Sequence, residues 1–294
     1  MHGITWLKPG QAGFIEPGSD EHRRVVSPSK IAAIVGASRF QSQYACWMEM
    51  SGRLTAQPVA NEIFKVGHAF EHALAYLWKD DNQGWRLSRT GVQTHGEQYG
   101  FPSVCTLDRL GSRGRARRIV EFKTARDLSE WGDEGGDEAP ADYLIQVQAQ
   151  MLLTGLVDYP AHLMVMGPFF KRFTYVIDYD QQVCDWLVMR CKEFWDSLQT
   201  GEPPALDDSV STYNTVRALH PDIDAGRNVE IPESLADDLL DASSQAKAAD
   251  RRLRGLKTQV LSHLGTAQTA TVNGEVLAQR RPSAKGSVAL FINK

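Results

Sequence analysis

Residues 103–124 read SVCTLDRLGSRGRARRIVEFKT. Ser103 to Leu107 and Arg118 to Phe122 are strand-like runs separated by a Gly-rich turn. Side chains on a strand alternate between faces, so Glu121 and Lys123 share one face while Phe122 turns into the core and leaves its carbonyl beside them. If the strand bearing Asp108 pairs with this one, its carboxylate meets Glu121. Two carboxylates and a carbonyl form a hard-oxygen site suited to Mg²⁺ or Mn²⁺. A metal there lowers the pKa of a bound water and stabilises the extra charge of a pentacovalent phosphate, with Lys123 positioning the water. An E-x-K triplet arises about once by chance in a chain this size, and its plain alternative is an edge strand with solvated charges. Its surroundings decide the weight it carries.

Working outward, Ile63, Val66, Phe70, Leu74 and Leu77 recur at helical spacing and predict an amphipathic helix to about Trp78. Gly67-x-x-x-Glu71 sits on it, so the backbone can approach another element one turn before a projecting carboxylate. Downstream, Tyr143 to Leu153 reads as a helix on which Gln146 and Gln150 share a face with Tyr143. Leu163 to Met166 and Phe173 to Ile177 should pair as a hairpin, and Val183 to Leu198 marks a long helix stopped by Gly201. Residues 127–138, DLSEWGDEGGDE, hold six acids and no base and read as a mobile surface loop. Residues 1–25 read as an irregular arm and 26–204 as the core. A linker, a polar helix from about Glu233 to Leu264 and a hairpin turning on Asn273-Gly274 fill 205–294.

The 294 residues carry 32 Lys and Arg against 36 Asp and Glu, a net charge of −4. Affinity for a polyanion must therefore come from local charge. The run Arg109 to Arg118 supplies it, with five arginines in ten residues; Arg113, Arg115 and Arg117 at its tip are candidates for gripping a DNA backbone if the tip lies near the site, the alternative being a solvated hairpin end. Four cysteines without a CxxC pair, no signal-like start and no long apolar window point to a cytoplasmic chain with no membrane span, in a bacterial host if phage-encoded. There is no GxxxxGK[ST] loop, so no ATP is expected. Cys184 and Cys191 are the last cysteines, which leaves no cluster of three near the C-terminus for an iron–sulfur centre.

Gly67-x-x-x-Glu71, Asp108, Glu121-x-Lys123 and Gln146-Val-Gln148, in that order, resemble the PD-(D/E)xK nuclease core, most closely lambda exonuclease and the YqaJ-like viral recombinase family. Val26-Ser27-Pro28-Ser29-Lys30-Ile31 is similar to the helix start near that family's N-terminus. The likeness spans roughly Arg23 to Pro204. It implies an α/β fold with a mixed central sheet flanked by helices, here followed by a C-terminal helix and β-hairpin appendage. It implies that Asp108, Glu121 and the Phe122 carbonyl bind one metal and Glu71 serves a second. Lys123 would be catalytic, Gln146 would orient it, and Arg23 or Arg24 with Ser29 would hold a DNA 5′-phosphate. The implied activity is ATP-independent, Mg²⁺-dependent 5′ to 3′ degradation of duplex DNA ends in a phage-type recombination system. The partners would be a single-strand annealing protein and further copies of the chain in a ring. Leu107 stands where the motif's name has Pro.

Three alternatives stand beside it. One is another PD-(D/E)xK endonuclease, and a second is a DNA-binding protein with a dead nuclease fold. The third is a zinc protease through His68-Ala-Phe-Glu71-His72, the inverted H-x-x-E-H motif. The zinc reading leaves Asp108 and Glu121-x-Lys123 unexplained.

Overall fold

The computed structural model describes residues 6–54, 61–282 and 288–293, without the side chains of 61–64; residues 1–5 of the expected arm and Ile63 of the helical stripe therefore lie outside what is described. The chain divides into two compact units, Met1–Ile223 and Asp224–Lys294. The first begins with helices α1 (Asp20–Arg23), α2 (Pro28–Ile34), α3 (Gln43–Met50) and α4 (Asn61–Asp81). Strands β1 (Arg86–Leu87), β2 (Val92–Gly96), β3 (Ser103–Leu107), β4 (Arg109–Arg113) and β5 (Ala116–Thr124) follow. Then come α5 (Ala141–Thr154), β6 (Ala161–Met166), β7 (Arg172–Ile177), α6 (Gln181–Thr200) and α7 (Val210–Leu219).

The central sheet runs β1-β4-β5-β6-β7 and is mixed: β5 and β6 are parallel, the other neighbours antiparallel. Its two faces follow from the period-two alternation of β5. Val120 and Phe122 pack with Leu74 and Trp78 of α4 and Met164 of β6. Ile119 faces the other way and packs with Leu163, Val165, Tyr175 and, from α5, Val147 and Met151. Both faces are thus covered, as a parallel β5–β6 pair requires. Trp78 is fully buried yet keeps its indole N–H satisfied, donating to His162 Nδ1 at 3.0 Å.

A second apolar cluster joins α2, α3 and α6 around Trp47, whose indole N–H donates to Ser197 Oγ at 3.0 Å. Neither α3 nor α7 stands out in the sequence pattern. Both open on a serine cap, Ser42 and Ser209, and the buried Thr212 hydroxyl of α7 bonds Ser42 Oγ at 2.7 Å. Strands β2 and β3 form a separate two-stranded sheet. Asp108 is therefore the hinge at which the chain leaves one sheet and enters the other.

The acidic stretch 127–138 corrects the expectation of a mobile loop. Trp131 is buried with its ring 5.4 Å from those of both Tyr143 and Tyr175, the Tyr175 hydroxyl donates to the Gly132 carbonyl at 2.8 Å, and Gly135 and Gly136 hydrogen-bond to β7. One aromatic residue among the acids outweighs their solvation.

The second unit holds α8 (Glu233–Leu264), β8 (Thr269–Val272), β9 (Glu275–Pro282) and β10 (Val288–Ile292). Asn273 and Gly274 join β8 to β9 with φ of 53° and 87°, the primed turn that the Asn-Gly pair favours. The expected hairpin is in fact a three-stranded sheet, because β10 pairs with β9. No helix among the described residues is long and apolar enough to cross a membrane.

Leu163 is fully buried on β6, opposite Glu121 of β5. Leu163→Ala should lower unfolding stability by about 2–5 kcal/mol through lost transfer and a residual cavity, as measured by urea denaturation.

Candidate active site

Glu121 is 2% exposed on the α5-facing side of β5. A buried carboxylate must be supplied with donors, and three converge on it. Lys123 Nζ donates to Oε1 at 2.7 Å, Gln146 Nε2 to Oε1 at 2.6 Å, and Gln150 Nε2 to Oε2 at 2.8 Å. The geometry is a product of two periodicities: Glu121 and Lys123 are two residues apart on a strand, Gln146 and Gln150 four apart on a helix. Gln150 is itself fully buried, and its Oε1 has no partner among the described residues. The Lys123 ammonium lies 5.2 Å from the Tyr143 ring centre, and the same ring takes the Arg39 guanidinium at 5.2 Å. Arg39 is fixed by Asp142, through Nε to Oδ2 at 3.1 Å and Nη2 to Oδ1 at 2.9 Å.

Asp108 Oδ2 accepts from the Phe122 amide at 2.8 Å, which sets its carboxylate next to Glu121 while the Phe122 ring stays in the opposite core. Burial raises the Asp108 carboxyl well above the usual carboxylate range, and the charges of Glu121 and Glu71 add to this; Lys123 and the Phe122 amide oppose it. Burial alone would lower the Lys123 ammonium, but Glu121 and Asp108 outweigh it and push the group up, so Lys123 is a firm cation.

A cleft of about 350 Å³ is lined by Glu71, Asp108, Glu121 and Gln146 together with Ser29 and His22. Glu71 reaches it from α4 and accepts at Oε1 from His68 Nδ1 at 3.0 Å. Arg109, the first arginine of the basic run, is buried beside the site: its guanidinium donates to the Asp108 carbonyl at 2.7 Å and lies 3.4 Å from His72 Nδ1. Among the described residues, no three His, Cys, Asp or Glu side chains close on one point at metal-binding geometry. The donor chemistry nevertheless fits a hard divalent cation. Three carboxylates line one cleft, and the Asp108 carboxyl is raised first by burial and then by the neighbouring charges of Glu121 and Glu71. Oxygen donors of this kind suit Mg²⁺ or Mn²⁺ over Zn²⁺.

Other expected residues lie elsewhere. Of Arg23, Arg24 and Ser29, only Ser29 lines the cleft; Arg23 is paired with Asp20 at 2.6 Å and Arg24 is exposed. The wall position is taken by His22, whose pKa falls to about 4 through burial and the nearby Lys30 ammonium. No sequence signal marked this lone histidine. The parallel bridge between Val26 and Ser103 brings its segment to the cleft. The expectation that Arg113, Arg115 and Arg117 sit near the site is likewise corrected. Pairing of Arg109 with Val120 puts the turn at Gly114 five residues from Arg109 and six from Val120, roughly 17–20 Å away at about 3.3 Å per residue. There Arg113 lies over Trp85, and Arg117 bonds the Gly114 and Ala116 carbonyls.

Residues 19–157 match the family model of the YqaJ-like viral recombinase domain, a span that holds Glu71, Asp108, Glu121, Lys123 and Gln146. No curated protein matches the chain. Among solved structures it is similar to an alkaline exonuclease from Laribacter hongkongensis, with 15% identity, 60% of this chain and 89% of that one covered, and a TM-score of 0.46. The complex of the same exonuclease with dAMP gives 14% identity, 62% and 92% coverage and a TM-score of 0.47. A protein from Eubacterium rectale gives 14% identity, 75% and 95% coverage and a TM-score of 0.48.

The raised Asp108 pKa has a definite sign for stability. Its contribution is fully present below the ordinary carboxylate range and is lost as pH rises through the elevated value. Asp108→Asn retains an oxygen for the Phe122 amide and removes the charge. In EDTA this variant should melt at a higher temperature than the parent at about pH 8, with the gain shrinking toward about pH 4; scanning calorimetry across that range checks it.

Proposed function

We propose, from the match of residues 19–157 to the family model of the YqaJ-like viral recombinase domain, that the chain is a metal-dependent deoxyribonuclease acting on the ends of duplex DNA. The observation that carries this reading is the cleft in which Glu71, Asp108 and Glu121 stand together while Lys123 is hydrogen-bonded to Glu121. Asp108, Glu121 and the Phe122 carbonyl would hold one Mg²⁺ or Mn²⁺, with Glu71 serving a second. When bound, such an ion makes a water more acidic and offsets charge on the phosphate.

The chain's own residues do the rest. Lys123, kept protonated by Glu121 and Asp108, holds the attacking water and faces the developing negative charge. Gln146 shares Glu121 Oε1 with Lys123, so it fixes the carboxylate against which the lysine is aimed. Ser29 and the neutral His22 offer uncharged donors to a terminal phosphate. Degradation runs from 5′ to 3′ and leaves a single strand for an annealing protein, and copies of the chain enclose the duplex in a ring. ATP takes no part.

Linear duplex with a 5′-phosphate, incubated with Mg²⁺, should be shortened to nucleotides, and EDTA should stop the reaction. Absence of metal-dependent degradation would leave only a DNA-binding role, and cutting of closed circles would replace exonuclease with endonuclease action. Because neutral groups, not arginines, line the wall at Ser29, a 5′-hydroxyl end should be degraded within about tenfold of the phosphorylated one, a difference of about 1.4 kcal/mol.

Lys123→Ala should reduce kcat by about 10²–10³-fold with duplex affinity in Ca²⁺ retained, as followed by fluorescence anisotropy. Near-normal turnover would assign the water-positioning role to another group.

A further inference from the structure

Helix α8 is 32 residues long, about 48 Å at 1.5 Å per residue, and among its described residues it buries only Leu264. The adjoining strands reach it through β8 near that end. Its apolar residues are left in solvent: Leu235, Leu239, Leu253 and Leu256 are 54%, 64%, 43% and 49% exposed, as is Leu240 at 69%. All of these but Leu240 fall on one line. From Leu235 the steps run to Leu239, Ala242, Ala246, Ala249, Leu253, Leu256 and Val260, alternating by four and three, the 3.5-residue period of a helix that packs along a partner helix.

The charges say which partner. Up to Asp241 the helix carries Glu233, Asp237, Asp238 and Asp241 and no base. From Lys247 onward Arg251, Arg252, Arg254 and Lys257 follow, against Asp250 alone, which already pairs with Arg254. Parallel pairing of two copies would set acid against acid and base against base. Antiparallel pairing sets each acidic half on a basic half.

We propose that α8 is a self-association surface on which two copies of the chain pair antiparallel about a two-fold axis. One register satisfies every apolar step at once. Leu239 lies against Leu256 of the second copy, Val260 against Leu235, and Leu253 against Ala242. Ala246 meets Ala249 at the centre, where small side chains let the helices approach closely. The interface is isologous, so each α8 contact joins two copies and does not itself propagate, and it is separate from the contacts that would close a ring.

Cysteine pairing in the full chain tests both contact and direction, because the four native cysteines are buried and none lies on α8. Leu239→Cys and Leu256→Cys chains, mixed and oxidised, should form a covalent two-chain species, while neither variant alone does so. Cross-linking of Leu239→Cys with itself would overturn the antiparallel arrangement, and no cross-link in any mixture would overturn the pairing.

Charge exchange supplies a second measurement. Replacing Asp237, Asp238 and Asp241 by Lys, or Arg251, Arg252 and Arg254 by Glu, should halve the sedimenting mass of the full chain in each case. Mixing the two variants should restore it. A wild-type mass equal to that of the variants, with no rescue on mixing, would remove the proposal. Neither measurement involves DNA cleavage, so the pairing is decided independently of the nuclease reading.

Discussion

A buried carboxylate that cannot be left alone organises this molecule. Glu121 sits inside a sheet covered on both faces, and its charge is tolerated because α5 crosses that sheet with Gln146 and Gln150 aimed at it and Lys123 beside it. The docking of α5 fixes more than hydrogen bonds. Val147 and Met151, from the same helix, fill the cluster around Leu163 and Tyr175. Arg39 and Tyr143 brace its first turn. The polar site and the apolar core are therefore two stripes of one helix, and neither can be moved without disturbing the other.

Period arithmetic carried the sequence reading furthest. Alternation along Val120 to Lys123 put Glu121 and Lys123 on one face and Val120 and Phe122 on the other, and the helical spacing of Leu74 and Trp78 matched the element that covers Phe122. The stop at Gly201 and the turn at Asn273-Gly274 were legible because each requires a left-handed backbone that few residues accept. These are local properties, written within a few residues of where they act.

What the sequence did not disclose depends on distant partners. The chain that carries His22 and Ser29 reaches the cleft by pairing Val26 with Ser103, a contact between segments far apart along the chain. The basic run illustrates the reverse error. Closeness in sequence to Asp108 and Glu121 suggested closeness in space, but strands extend, so the tip of a hairpin is the part most remote from its base. Only Arg109, the residue nearest Asp108, remains at the site. In the acidic loop, composition outvoted Trp131, whose single ring decides the packing.

His162, wedged between the Trp78 indole and Arg118 against the sheet, gives the fold an acid limit. Burial, helped by the Arg118 charge, lowers its pKa to about 4, and burial with Lys30 does the same for His22. Both groups protonate more readily in the unfolded chain than in the folded one. The stability they contribute is complete above the ordinary histidine range and drains away as pH falls toward about 4. One of these imidazoles lies behind the sheet and the other on the cleft wall. Mild acid should therefore loosen the core under α4 and the N-terminal wall of the cleft together, so that the protein has a working range bounded from below by two histidines that must stay neutral.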